Sequence, residues 1–264
     1  MDCRQLASVM RCATALALIG TAACSNGGSG SGSVSLSLSA RRTPGAVSAA
    51  SVVTAGDSTV IALGNDTLIL RSLGVVLRKV EMKRLEASAC DTVVGNGDCE
   101  EFESGPVLAT FPLGTTNTTA AVTVNAPAGQ YDKLEFEIHK TDTTSSEEAP
   151  FIAANPNFKD ISIRVTGTFS QSGTRKEFVY TTDLDASEEL AFNPPLTVVD
   201  GTPANLTIRL DISTWFVNGT TLVDPSSANL GGLNEGLVKN NIMNSINAFE
   251  DDNRDGRDDH HEGS

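Results

Sequence analysis

The chain reads as a mainly β protein, an antiparallel β-sandwich with one amphipathic helix near its C-terminus. Three observations predict this. Apolar and polar residues alternate with a period of two from Val34 onward. The alternating runs are separated by Gly, Asn and Asp turn signals, with no helical segments between them. Each run is apolar on one face only, which suits antiparallel sheets covered on one side.

The elements follow in order. Thr59–Leu63 and Thr67–Leu70 flank Gly64-Asn65-Asp66 and predict a hairpin. Val75–Leu85 predicts a long strand with Val76, Val80 and Met82 on one face. Arg78 and Arg84 share that face, which points to a half-covered or edge strand. Leu134, Phe136 and Ile138 alternate with Glu135, Glu137 and His139, so the apolar set faces inward and His139 faces solvent. Ala121–Val124, Ile161–Thr166, Glu177–Tyr180 and Leu206–Ile212 repeat the pattern, and Gln171-Ser172-Gly173 supplies a second hairpin turn. Leu233, Leu237, Val238, Ile242, Ile246 and Phe249 recur at helical spacing, predicting a helix of about four to five turns against a sheet. The expected organisation is therefore a leader over 1–23, an anchoring residue and spacer over 24–33, and a sandwich over 34–148. A second β-region over 149–232, separate or part of the same sandwich, precedes a helix and acidic loop over 233–264.

The N-terminus carries the first functional signal. Arg4 and Arg11 precede an apolar stretch, Cys12–Ile19, of signal-peptide length and too short to span a bilayer. Thr21-Ala22-Ala23-Cys24 resembles the lipobox of bacterial lipoproteins, with Thr21 where that family usually carries Leu. The resemblance implies cleavage before Cys24, a thioether-linked diacylglycerol on it, and a place in the cell envelope. Ser25 after the cysteine is compatible with the outer membrane. The alternative is an ordinary signal peptide with Cys24 as a simple thiol. Ser25–Ser33 is a Gly/Ser run suited to a flexible spacer.

Cys90 and Cys99 remain after the leader and Cys24 are set aside, and Gly95-Asn96-Gly97 between them supplies a turn. An oxidising compartment favours a disulfide here, contributing about 2–3 kcal/mol. The alternative is a metal or redox pair, although the spacing is not CxxC and no His accompanies it.

A net charge of −14 argues against nucleic acid and against charge-driven binding to an anionic surface. One Trp and two Tyr leave few residues for a sugar-stacking platform.

Pro127-Ala128-Gly129-Gln130-Tyr131-Asp132-Lys133-Leu134 resembles the turn-into-strand signature of exported bacterial proteins of the domain of unknown function 4382 family, over roughly residues 59–145. Transthyretin-like sandwiches have a similar turn. The resemblance implies a sandwich and lends no activity. Gly129 suits a turn needing positive φ, and Tyr131 can pack its ring while its hydroxyl finds a backbone partner.

The tail holds the one chemical signature. Asp251, Asn253 and Asp255 fall at positions one, three and five of an EF-hand loop, with Gly256 at its sharp turn. Arg257 would offer its carbonyl, and Asp259 and Glu262 occupy positions nine and twelve. Hard oxygen ligands at this spacing predict calcium. Asp258 stands where an apolar residue is usual, and the alternative is an acidic tail that keeps the chain soluble. His260 and His261 are adjacent, which suits a transition metal poorly. Glu147-Glu148 and Glu188-Glu189 are carboxylate pairs in polar, loop-like stretches, and His139 lacks a Gly-x-Ser-x-Gly partner motif. The expected function is a non-catalytic binding or structural module with a protein or glycan partner. A hydrolase using paired carboxylates and a structural assembly subunit are the alternatives.

Overall fold

The computed structural model describes residues 31–40, 51–85, 102–111, 113–114 and 119–259. The strands are β1 (Ser31–Ser39), β2 (Ser51–Ala55), β3 (Ser58–Leu63), β4 (Asp66–Arg84), β5 (Phe102–Ser104), β6 (Val107–Thr110), β7 (Thr119–Pro127) and β8 (Gly129–Ile138). After a short helix α1 (Ala149–Ala154) come β9 (Ile163–Gln171), β10 (Thr174–Thr182), β11 (Ala186–Val198), β12 (Pro203–Leu210), β13 (Val217–Asn218) and β14 (Thr221–Leu222). Helix α2 (Glu235–Met243) and β15 (Ile246–Glu250) close the chain.

A four-stranded sheet in the order β15-β12-β1-β7 packs against a nine-stranded one. In the larger sheet β4 is the spine. Its first half lies between β3 and β9, and its second half pairs with β8 on one side and with β6 and β5 on the other. At about 3.3 Å per residue its 19 residues run roughly 60 Å. The far end carries two hairpin turns, between Leu63 and Asp66 and between Gln171 and Thr174. Asp66 joins them by accepting from the Ser172 N–H at 3.3 Å. The sandwich is antiparallel except where β1 runs parallel to β12.

The strand pairings β1–β12, β4–β9 and β8–β11 join residues 34–148 to residues 149–232, so the two expected β-regions form one sandwich with one continuous core. Val34, Leu36 and Leu38 of β1 are buried beside Leu206, Ile208 and Leu210 of β12. Removing such apolar surface from water contributes about 25 cal/mol per Å².

Four expectations require correction. β1 begins at Ser31, inside the Gly/Ser run, because a central strand draws its pairing from backbone groups that Ser and Gly also carry. β4 is paired on both sides, so it is not an edge strand. Its two arginines are accommodated separately: a register shift between Leu77 and Lys79 lets Arg78 reach Glu148, and Arg84 lies over the buried Tyr131 ring at 5.9 Å. The C-terminal helix ends at Met243, and Ile246 and Phe249 belong to β15. Their spacing fits a helix, but β12 offers an open edge with which the segment pairs from Leu206↔Glu250 to Leu210↔Ile246, and tertiary pairing overrides local periodicity. Gly129 opens β8 in extended conformation and is not among the glycines at positive φ.

Gly167 shows why one strand position must lack a side chain. It sits beside the register shift of β4 between Leu70 and Ser72, and a Cβ there would lie 2.0 Å from the Ile69 carbonyl oxygen.

The C-terminal acidic loop and other candidate sites

The loop after β15 grows out of the four-stranded sheet. The Asp251 N–H donates to the Asn205 carbonyl at 3.1 Å, extending the β12–β15 pairing by one step. Asp251 is thereby carried to full burial, at 0% exposure. An ionised carboxylate is held in such a place only if its lone pairs are taken up. Thr207 Oγ1 donates to its Oδ2 at 2.6 Å, the Gly256 N–H to the same oxygen at 3.0 Å, and the Asp255 N–H to Oδ1 at 2.9 Å.

The rest of the loop coils around this residue. Asn253 Oδ1 accepts from the Asp255 N–H at 2.8 Å, and Asp255 Oδ1 accepts from the Arg257 N–H at 2.8 Å. Asp259 folds back across the loop, accepting from the Asp252 N–H at 2.6 Å and from Asn253 Nδ2 at 2.9 Å. Gly256 takes φ +78° and is buried, so a side chain is excluded on both counts. Arg254, at φ +58°, sends its guanidinium back to Asn205 Oδ1, with Nε at 2.8 Å.

Asp251, Asn253, Asp255, Arg257 and Asp259 are therefore gathered in one compact turn. Glu262, His260 and His261 lie outside the described residues, as do the leader, Cys24, Cys90 and Cys99. Among the described residues, no three Asp, Glu, His or Cys side chains converge closely enough to hold a metal ion. The carboxylates of Asp251, Asp255 and Asp259 are turned onto backbone N–H groups of their own loop. Sequence spacing identified the loop; it gave no sign of Thr207, the distant residue that secures its first carboxylate.

The paired carboxylates separate. Glu147 is exposed, while Glu148 is buried at the start of α1, accepting from Arg78 Nε at 2.9 Å and from the Asp142 N–H at 2.7 Å. Asp142 in turn is held below the usual carboxylate range by hydrogen bonds from the Thr144 hydroxyl and N–H. Glu188 and Glu189 lie on β11, not in a loop, and successive strand residues point to opposite faces. Glu189 meets Lys133 at 3.0 Å in solvent. Glu188 stands opposite Phe136 on the inward face, where burial alone pushes its pKa up.

The sign of that shift makes a prediction. A raised folded-state pKa means that the native protein binds the proton more tightly than the unfolded chain, so Glu188 lowers stability as pH rises through its folded pKa. Glu188→Gln is expected to raise the melting temperature at pH 7. The gain should vanish below about pH 4, where both states carry the proton. Melts recorded across that range check both halves.

A second polar cluster surrounds Asp183, which bonds Lys239 Nζ at 2.7 Å and has Lys140 Nζ at 3.8 Å. Lys239 also meets Glu235 at 2.7 Å, so β10's exit is stapled to α2. The hydrogen bond and charge of Lys239 hold Asp183 low, against a smaller opposing effect of burial. His139 is half-buried rather than solvent-facing, with Nδ1 2.6 Å from the Lys140 carbonyl and Nε2 3.4 Å from Asp185.

Among the described residues, one shallow hollow of about 260 Å³ lies by the β9–β10 hairpin, beside Lys176 and Asp224, and another of about 270 Å³ by α1, beside Ile152 and Lys159. Comparison with protein-family models, curated proteins and solved structures returned no match.

Proposed function

We propose that this chain is a lipid-anchored cell-envelope protein, a binding or structural module without catalysis, whose C-terminal loop is tightened by calcium. The observation that carries the reading is the way the acidic loop is built into the sheet. Asp251 is fully buried, and its carboxylate draws bonds from Thr207 on β12 and from the loop's own Asp255 and Gly256. This arrangement makes the loop a clasp on the four-stranded sheet. Of the carboxylates considered for hydrolysis, Glu148 is committed to Arg78 and Glu189 to Lys133, and Glu188 and Glu189 lie on opposite faces of one strand.

Calcium would be held by Asp251, Asn253 and Asp255, the Arg257 carbonyl, and Asp259 with Glu262. Occupancy requires Asp255 and Asp259 to exchange backbone N–H partners for the ion. The affinity expected is the roughly 0.1–1 mM of extracellular modules. At about 2 mM calcium the stabilisation by mass action is then about 0.6–1.8 kcal/mol, or a few degrees for a domain of this size. The test is a thermal melt in EDTA and then in calcium, with Asp255→Ala alongside. A calcium-dependent rise in wild type that the variant lacks supports the reading; no rise in wild type between EDTA and calcium, or an equal rise in the variant, removes the metal from this loop. Intact-mass measurement of the envelope-extracted protein tests the anchor, with a chain starting at Cys24 and carrying acyl mass as the expected result.

A further inference from the structure

We propose that one end of the sandwich, formed by the 127–129 turn, the 199–202 turn and the acidic loop, faces the lipid bilayer, with the two β4-side hairpins pointing away from it. The inference rests on lipidation at Cys24 and deepens that reading by assigning a surface to the membrane.

The argument starts from strand register. Ser31, where β1 begins, stands opposite Pro127, the last residue of β7. Ser33 stands opposite Pro203, the first residue of the parallel β12. The 127–129 crossing and the 199–202 turn therefore flank the point from which the N-terminal segment leaves the sheet. β15 runs antiparallel to β12 and delivers Asp251 beside Asn205 at the same end. The last residue of β4, Arg84, is paired with Tyr131 there too.

Six residues separate Cys24 from Ser31. Whatever conformation they take, covalent geometry limits their span to about 25 Å. The opposite end of β4 lies some 17 residues along the strand from Arg84, at Thr67, a contour of at most about 55 Å. An acyl chain on Cys24 thus keeps that end of the sandwich within about 25 Å of the anchor, while the Asn65 and Ser172 hairpins lie at the other end of β4.

Charge does not drive this docking. Asp200 and Asp252 are exposed at the tethered end and would be repelled by anionic headgroups. That repulsion decays over about 8 Å at physiological ionic strength, well within the leash, so it sets a stand-off rather than a reversal.

The test uses the processed, lipidated protein reconstituted in vesicles carrying a nitroxide headgroup lipid. A fluorescent amino acid is placed in turn at four exposed positions: Ala128, Asp200, Asn65 and Thr174. Stronger quenching at the first pair is expected, because the leash holds that end within about 25 Å of the anchor and the second pair sits at the far end of β4. Equal quenching, or stronger quenching at Asn65 and Thr174, overturns the orientation. Intact mass on the same sample separates the two failures: without acyl mass the anchor itself is wrong, and with it only the orientation falls.

Discussion

Replacing Trp215 with alanine is expected to lower the unfolding free energy by about 3–5 kcal/mol, the range for removing a large buried aromatic. Trp215 is fully buried. Its indole N–H donates to Ser245 Oγ at 2.7 Å, and that hydroxyl passes its own proton to the Ile242 carbonyl at 2.6 Å. The ring thus ties the segment after β12 to the end of α2. Asn241 reinforces the joint by donating from one amide nitrogen to the carbonyls of Thr214, Trp215 and Val217. Trp215→Phe keeps most of the apolar contact but leaves the Ser245 oxygen without its donor, which costs about 1–3 kcal/mol. Trp215 is the chain's one tryptophan, so unfolding must be followed by circular dichroism in urea. An alanine variant within about 1 kcal/mol of wild type would show that the site collapses around the loss.

The second large effect is expected at Asp251. Asp251→Ala strands the Thr207 hydroxyl and the Gly256 N–H, both bonded to Oδ2, while the Asp255 N–H keeps Asn253 Oδ1 as an acceptor. Each buried donor left unmatched costs about 1–3 kcal/mol, and shared relaxation of a surface loop brings the sum to about 3 kcal/mol. Asp251→Asn should recover most of the loss, because an amide with its oxygen at the Oδ2 position still accepts from Thr207 and Gly256 and turns its NH2 only toward the Asp255 N–H. Thr207→Val, which removes one bond, should cost about 1 kcal/mol. Urea midpoints recorded in EDTA separate this role from any metal. If Asp251→Ala matches Thr207→Val, the loop does not clasp the sheet in the way described.

Much of this architecture could be read from the residues. Leu134, Phe136 and Ile138 alternate with charged neighbours, and all three are buried as expected. The Gly64-Asn65 and Ser172-Gly173 turns stand where the sequence puts them, with positive φ at Gly64, Ser172 and Gly173. The acidic loop was legible as a turn because Asp and Asn at alternate positions cap their own backbone. What escaped the sequence depends on partners far along the chain. Ile246 and Phe249 satisfy helical and strand spacing alike, and only the open edge of β12 decides between them. Glu148 looks like a solvated acid until Arg78, 70 residues earlier, is brought beside it. Glu188 reads as a loop residue, yet its strand turns it inward opposite Phe136.

The placement of β1 bears on how the fold answers a mechanical load. A pull arriving through residues 25–30 would run along the axis of β1, between β12 and β7. Such a load shears both rows of backbone hydrogen bonds at once, seven residue pairs on the β12 side alone, instead of unzipping them singly. The first strand of the sandwich is one of the two interior strands of its sheet, so the body resists a pull on its N-terminal side as a unit.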